Sequence, residues 1–197
     1  MTDVTLDLGP QTRVVARLAE GLREDALAGR TPCPDYTVRT MLGHLLGLSV
    51  AFRDAARKDL GVTTATAPDP AATGLAPDWR EALPEALDEL ADAWRDPAAW
   101  TGMTRAGGID LPGEVAGAVA VDELVVHGWD LARATGQEYR PDPAALQLAH
   151  DFLHAAAQEP GRGGGIFGPV VPVPADATLL DRAVGLSGRD PGWRPGH

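Results

Sequence analysis

A chain of 197 residues is long enough for one domain with a core of its own. Its 28 acidic against 17 basic side chains leave a formal net charge of −11, and the arginines are scattered among acids, which argues against a nucleic-acid or anionic-membrane partner. Cys33 is the only cysteine, so an internal disulfide is excluded and a reduced, cytoplasmic setting fits. No signal peptide and no membrane span is expected, since no apolar run approaches about 18 residues.

From the N-terminus, Val14, Leu18 and Leu22 recur at helical spacing, with Val15 and Ala26 alongside. They predict a first helix over 12–29, ended by Gly29-Arg30. Pro32 and Pro34 interrupt, and Asp35 or Thr37 can cap a second helix over 37–58. Its inward stripe reads Met41, His44, Leu48, Phe52 and Ala55. Residues 60–77 are rich in Thr, Ala, Gly and Pro and read as a long crossover loop. A third helix over 78–94 turns Leu83, Leu87, Leu90 and Trp94 inward, with Pro84 as an alternative start. In the irregular stretch 96–111, residues 101–105 and 107–111 can pair as a short hairpin. Pro112 opens a fourth helix that ends at Thr135-Gly136, and Asp142-Pro143 opens a fifth over 142–158.

From Pro160 the chain turns Gly- and Pro-rich, with one helical piece around 178–186. This stretch lacks the composition for its own core. It is expected to wrap over the helices, anchored by Phe167, Val170 and Val171. The division is therefore a helical domain over 1–159 and an extension over 160–197. Five helices, two long connections and no strong strand signal predict an all-α bundle.

The fourth helix carries an anomaly. Glu123 and His127 stand four residues apart, so both lie on one face. That face continues through Ala116, Ala120, Leu131 and Ala134, a stripe meant for burial. A carboxylate and an imidazole there are costly unless something satisfies them. A metal ion would do so, and His44, set in the apolar stripe of the second helix, is the natural third ligand. Three protein ligands with an open fourth position is the arrangement of a catalytic metal. Asp130, nearly one turn beyond His127, is the candidate catalytic residue, orienting an imidazole or moving protons nearby. Trp129, between His127 and Asp130, is a candidate wall. Pattern alone leaves two other readings open: a chance pair, or a hydrogen-bonded core cluster without metal.

Rival features read as structural. His150 and His154 are also four apart, but Gln147, Asp151 and Gln158 place them on a polar face. Cys33 precedes a helix start, where a thiolate gains from the dipole, yet its flanking prolines favour a small packed residue. Gly163–Gly165 is followed by no Lys-Ser/Thr and reads as a turn, not a phosphate loop. His197 is terminal and is given no role.

Two segments resemble a known family. TPCPDYTVRTMLGHL resembles the stretch that opens the second helix in actinobacterial metal-binding proteins of the mycothiol-dependent maleylpyruvate isomerase type, with Tyr36 for the usual Trp and Met41 for the usual Leu. DELVVHGWDLARATGQ resembles that group's E-x3-H-x-W-D-L-A signature, and the tail from FGPVVPVPADATLLDRAVGL onward is similar to the ending of a short, single-domain subgroup. The resemblance implies a DinB-like four-helix bundle binding a divalent metal, usually zinc, through His44, Glu123 and His127. The isomerase itself carries a further C-terminal domain that contributes to its active site, and this chain ends without one, which places isomerisation of maleylpyruvate in doubt.

The function expected from these features is binding of a divalent metal, zinc first and nickel or iron as alternatives. The metal would serve transfer or isomerisation with a thiol such as mycothiol as co-substrate and a small electrophile as substrate. The alternative is a non-catalytic, metal-stabilised binding or stress-response protein. A homodimer is expected by resemblance only.

Overall fold

The computed structural model describes residues 5–71, 74–158 and 168–195. Helix α1 (Gly9–Glu20) opens on Pro10, with Asp7 accepting the Gly9 N–H at 2.9 Å. The expected helix over 12–29 stops nine residues early, and Glu24–Ala26 forms a separate single 3₁₀ turn. The apolar spacing runs on, but the backbone is needed elsewhere. Leu27 O and Gly29 O accept the N–H groups of Arg39 and Val38, both at 2.9 Å, which satisfies two otherwise orphaned donors of the next helix.

Helix α2 (Val38–Arg57) begins with a reciprocal Thr37–Thr40 capping box and ends at Lys58 in the left-handed region, φ 59°. The expected loop contains a short helix, α3 (Val62–Ala65). Helix α4 (Trp79–Trp94) starts at Trp79, and Pro84 lies inside it rather than opening it. A two-stranded hairpin, β1 (Met103–Ala106) and β2 (Ile109–Pro112), pairs Thr104 with Leu111 and Arg105 with Asp110. Its strands lie about two residues later than expected. The turn forces that register, because Gly107 and Gly108 take φ of 57° and 81°, the left-handed pair that a two-residue hairpin loop requires and glycine adopts freely. Helix α5 (Gly113–Thr135) ends on Gly136 at φ 68°. Then come α6 (Pro143–Ala157), capped by Asp142, and α7 (Leu179–Leu186), capped by Thr178.

Among the described residues the fold is mostly helical with this one small sheet. Helices α1 and α2 each pack against both α4 and α5, while α6 lies on α5 and α7 on α6. The shared core is Met41, Leu42, Leu45, Leu83, Leu87, Leu90, Trp94, Leu124 and Leu131, all fully buried. Trp94 Nε1 donates to Phe52 O at 3.1 Å and Trp100 Nε1 to Trp94 O at 2.8 Å, so the two indoles seal the α2–α4 end. Helix α5 lies flush on Trp100, since a Cβ at Gly117 would come within 2.4 Å of its ring. Helix α5 is thereby buried on nearly every side, not on one stripe.

Of the expected tail anchors, Val170 is exposed and Val171 half-buried. Ala183 and Val184 of α7 carry that burial instead, with Ala183 packing on Val126 and Leu153. Phe167, Gly163–Gly165 and His197 lie outside the described residues. Among the described residues no helix is long and apolar enough to cross a membrane.

Candidate metal centre

Helix α2 carries His44 inward, and α5, packed beside it, carries Glu123 and His127 one turn apart. Glu123 Oε2 takes His44 Nε2 at 3.1 Å and His127 Nε2 at 3.0 Å. The imidazoles meet edge to face with centroids 4.9 Å apart. His44 and His127 are 8% and 7% exposed and the Glu123 side chain 19%, so Glu123 is the most exposed of the three. Among the described residues this is the one group of three His, Cys, Asp or Glu whose ligand atoms converge, all within 4.8 Å.

The other face of His127 is also occupied. Its Nδ1 faces Asp130 Oδ2 at 2.9 Å, and Asp130 is fully buried. Asp130 in turn accepts from Arg189 Nη2 at 3.1 Å and Nε at 3.4 Å. With both ring nitrogens on carboxylates, metal-free His127 must be an imidazolium. Burial pushes its pKa down, but Glu123 and Asp130 outweigh that and raise it to about 9. Burial likewise opposes ionisation of Glu123, yet His127 and His44 hold its carboxyl well below the usual range.

These residues fit a divalent ion. A tetrahedral ion bound at about 2.0–2.1 Å sets neighbouring ligand atoms about 3.3 Å apart, close to the two separations across Glu123 Oε2. Asp130 on Nδ1 leaves Nε2 free to be the ligand atom if an ion binds, as in carboxylate–histidine–metal arrangements. A dication replacing the His127 proton would face the negative charges of Glu123 and Asp130, with Arg189 behind Asp130.

In protein held metal-free by a chelator, the raised His127 pKa makes stability fall with rising pH. The folded value of about 9 lies above the ordinary 6.5, so the contribution is complete below the lower value and lost as pH rises through the upper one. The urea midpoint should drop across that window, and a flat midpoint would refute the protonated bridge.

The remaining candidates separate from this centre. His150 and His154 stack at 6.1 Å on α6, with His150 Nδ1 on Asp151 at 3.0 Å and no converging third ligand among the described residues. Burial pushes the Cys33 thiol up to about 11, against the pull of Arg189, so it is no ready nucleophile. Trp129 is buried under the Arg133 guanidinium, 5.4 Å from its ring centroid. The aromatic wall beside the histidines is Tyr36, with centroids 5.0 Å from His44 and 6.0 Å from His127.

Two supports were not read from the sequence. Buried Gln11 donates to Leu124 O at 3.2 Å and to Tyr139 Oη at 3.0 Å, and Tyr139 donates to Val125 O at 2.7 Å. They brace α5 between Glu123 and His127, and Tyr139 approaches so closely that a Cβ at Gly128 would sit 3.0 Å from its hydroxyl. The other is Arg189, whose only signal was an arginine in the tail.

A family model described as the mycothiol maleylpyruvate isomerase N-terminal domain matches residues 8–132. Two curated relatives, the uncharacterized proteins Rv0738 and MT0763 of two Mycobacterium tuberculosis strains, are each 28% identical over 179 residues, 88% of this chain and 91% of theirs. A solved structure with a similar fold is that of a histidine-to-alanine mutant of the mycothiol-dependent maleylpyruvate isomerase. It has a TM-score of 0.56 and 14% identity, covering 73% of this chain and 65% of that one. At that identity the likeness concerns the fold alone.

Proposed function

The chain belongs to the mycothiol maleylpyruvate isomerase N-terminal domain family, and on that footing we propose that it is a divalent-metal protein acting with a small thiol. His44, Glu123 and His127 are the ligands, zinc the first-choice ion, and nickel or iron the alternatives. The observation that carries this reading is the convergence of two Nε2 atoms on one Glu123 oxygen, at 3.1 and 3.0 Å, with His127 held from behind by Asp130. The helical packing is read here as the DinB-like four-helix bundle, formed by α1, α2, α4 and α5. Residues 1–159 form the metal-binding unit and 160–197 an extension on it.

When bound, the ion would supply Lewis-acid chemistry, lowering the pKa of a thiol such as mycothiol so that it attacks or isomerises a small electrophile. The chain's own residues do the rest. His44 and Glu123 offer their atoms from separate helices and so fix the ion between them. Asp130 acts through His127, holding its ring and tautomer. The Tyr36 ring narrows access from the side of the two imidazoles.

A second reading has one observation in its favour. Two of the three ligands are less than a tenth exposed, as suits a metal that stabilises a binding protein without turnover. Calorimetry with mycothiol on the zinc-loaded protein separates the two. The catalytic reading expects binding that disappears when zinc is removed, and conjugation of at least one member of an electrophile panel. Zinc without any thiol binding leaves the non-catalytic reading.

A further inference from the structure

The C-terminal segment reaches back to the metal centre through one side chain. Helix α7 ends in a Schellman motif: Arg189 N–H bonds Val184 O and Gly188 N–H bonds Gly185 O, both at 3.1 Å. Gly188 takes φ 87°, and a Cβ there would lie 3.0 Å from Gly168 Cα, so the turn admits glycine alone. The motif turns the chain so that Arg189 points at α5. Its Nη2 and Nε grip the Asp130 carboxylate and its Nη1 donates to Ser187 O at 3.1 Å, leaving the side chain 12% exposed. One turn further along α5, Arg133 Nη2 donates to Pro191 O at 2.7 Å. Helix α5 thus clasps the tail at two points, and the first is the carboxylate that holds His127.

We infer that Arg189 is a positioning residue for the metal centre, and that docking of segment 179–195 and metal affinity are coupled through Asp130 and His127. The inference rests on the metal reading above. Its physical basis is a chain of oriented groups. A guanidinium fork fixes the plane of the carboxylate it grips. The carboxylate fixes the tilt and tautomer of the imidazole, and so where Nε2 lies. Without Arg189, the one remaining described hydrogen bond to the Asp130 carboxylate is from the histidine it is meant to orient. Linkage then works in both directions: a tail that improves the ligand geometry must itself be held more firmly when the ion is bound. Arg189 lies outside residues 8–132 matched by the family model, so this support comes from a part of the chain that the match does not cover.

The test uses the full chain with wild type, Arg189→Ala and Arg189→Lys. Zinc affinity is measured by competition with a chromophoric chelator, and amide exchange of 179–195 is followed with and without zinc. Arg189→Ala should bind zinc about 10–100-fold more weakly, and Arg189→Lys, which keeps the charge but not the fork, should fall between. Zinc should slow exchange in 179–195 of the wild type, and this zinc-dependent slowing should be lost in Arg189→Ala. A purely structural arginine would speed exchange equally with and without zinc and leave affinity unchanged, which would overturn the inference. If Arg189→Ala does not fold, wild-type affinity in Arg189→Lys overturns it. Failure of the wild type to bind zinc at all sinks the metal reading itself, a result distinct from unaltered binding by the variants.

Discussion

Protein purified without an affinity tag should carry about one metal ion per chain, and His127→Ala or His44→Ala none, by elemental analysis. The single Glu123 oxygen shared by both imidazoles is the reason. Removing either ring leaves two ligands, too few to hold an ion against water. The stability effect should be large. An ion present at about 1,000 times its dissociation constant stabilises the folded state by about 4 kcal/mol. For a chain of this size each kcal/mol moves the thermal midpoint by about 2–4 °C, so the zinc-replete wild type should melt about 10 °C above either variant. Chelated wild type should lose most of that advantage. The double variant His150→Ala with His154→Ala should keep both metal and midpoint, because among the described residues no third ligand converges on that pair. Equal metal loss there would place the site on α6 instead.

Asp130→Asn should damage both the fold and the centre. Asp130 is fully buried and answers a guanidinium whose side chain is only 12% exposed. Asparagine keeps the shape but removes the charge, leaving Arg189 buried without its counterion. Breaking such a pair costs about 3–5 kcal/mol, readable as a lower urea midpoint in chelated protein. Asparagine also presents an amide that can donate toward Nδ1, which loosens the tautomer, so zinc affinity should fall by about 10–100-fold. A second substitution tests the assignment of cost. Adding Arg189→Leu removes the unpaired charge and should restore part of the lost stability, while zinc affinity stays low. A single variant that loses less than about 1 kcal/mol, below the range for a broken buried pair, would show that Asp130 and Arg189 are not the tight pair seen here.

Much of the centre was legible in the sequence because it is written locally. A four-residue spacing puts Glu123 and His127 on one face of any helix that contains them, and a histidine in an apolar stripe marks His44 as inward. Asp130 was readable for the same reason, one turn beyond its partner. Element boundaries were legible where a cap sits in the sequence: Thr37, Gly136, Asp142 and Thr178 all lie where the chain changes state. They were misread where a distant segment claimed the backbone. Residues 21–29 keep helical spacing, yet the start of α2 takes the carbonyls of Leu27 and Gly29.

What only the tertiary structure decided is which faces meet. Periodicity says that a side chain points inward and is silent on what it finds there. Tyr36, not Trp129, walls the histidines, because positions two apart on α5 point to different sides of the helix. Gln11 of α1 and Tyr139, just beyond α5, bond each other across 128 residues and together brace the stretch of α5 between Glu123 and His127. Arg189 reaches Asp130 across 59 residues through a glycine turn that only the packed tail holds in place. By itself, the sequence determined most of the helices and the inward-facing histidines and glutamate. Convergence of the two imidazoles on one Glu123 oxygen, and the arginine behind them, required the packing of α2, α5 and the tail, since a contact between distant segments leaves no periodic trace in either.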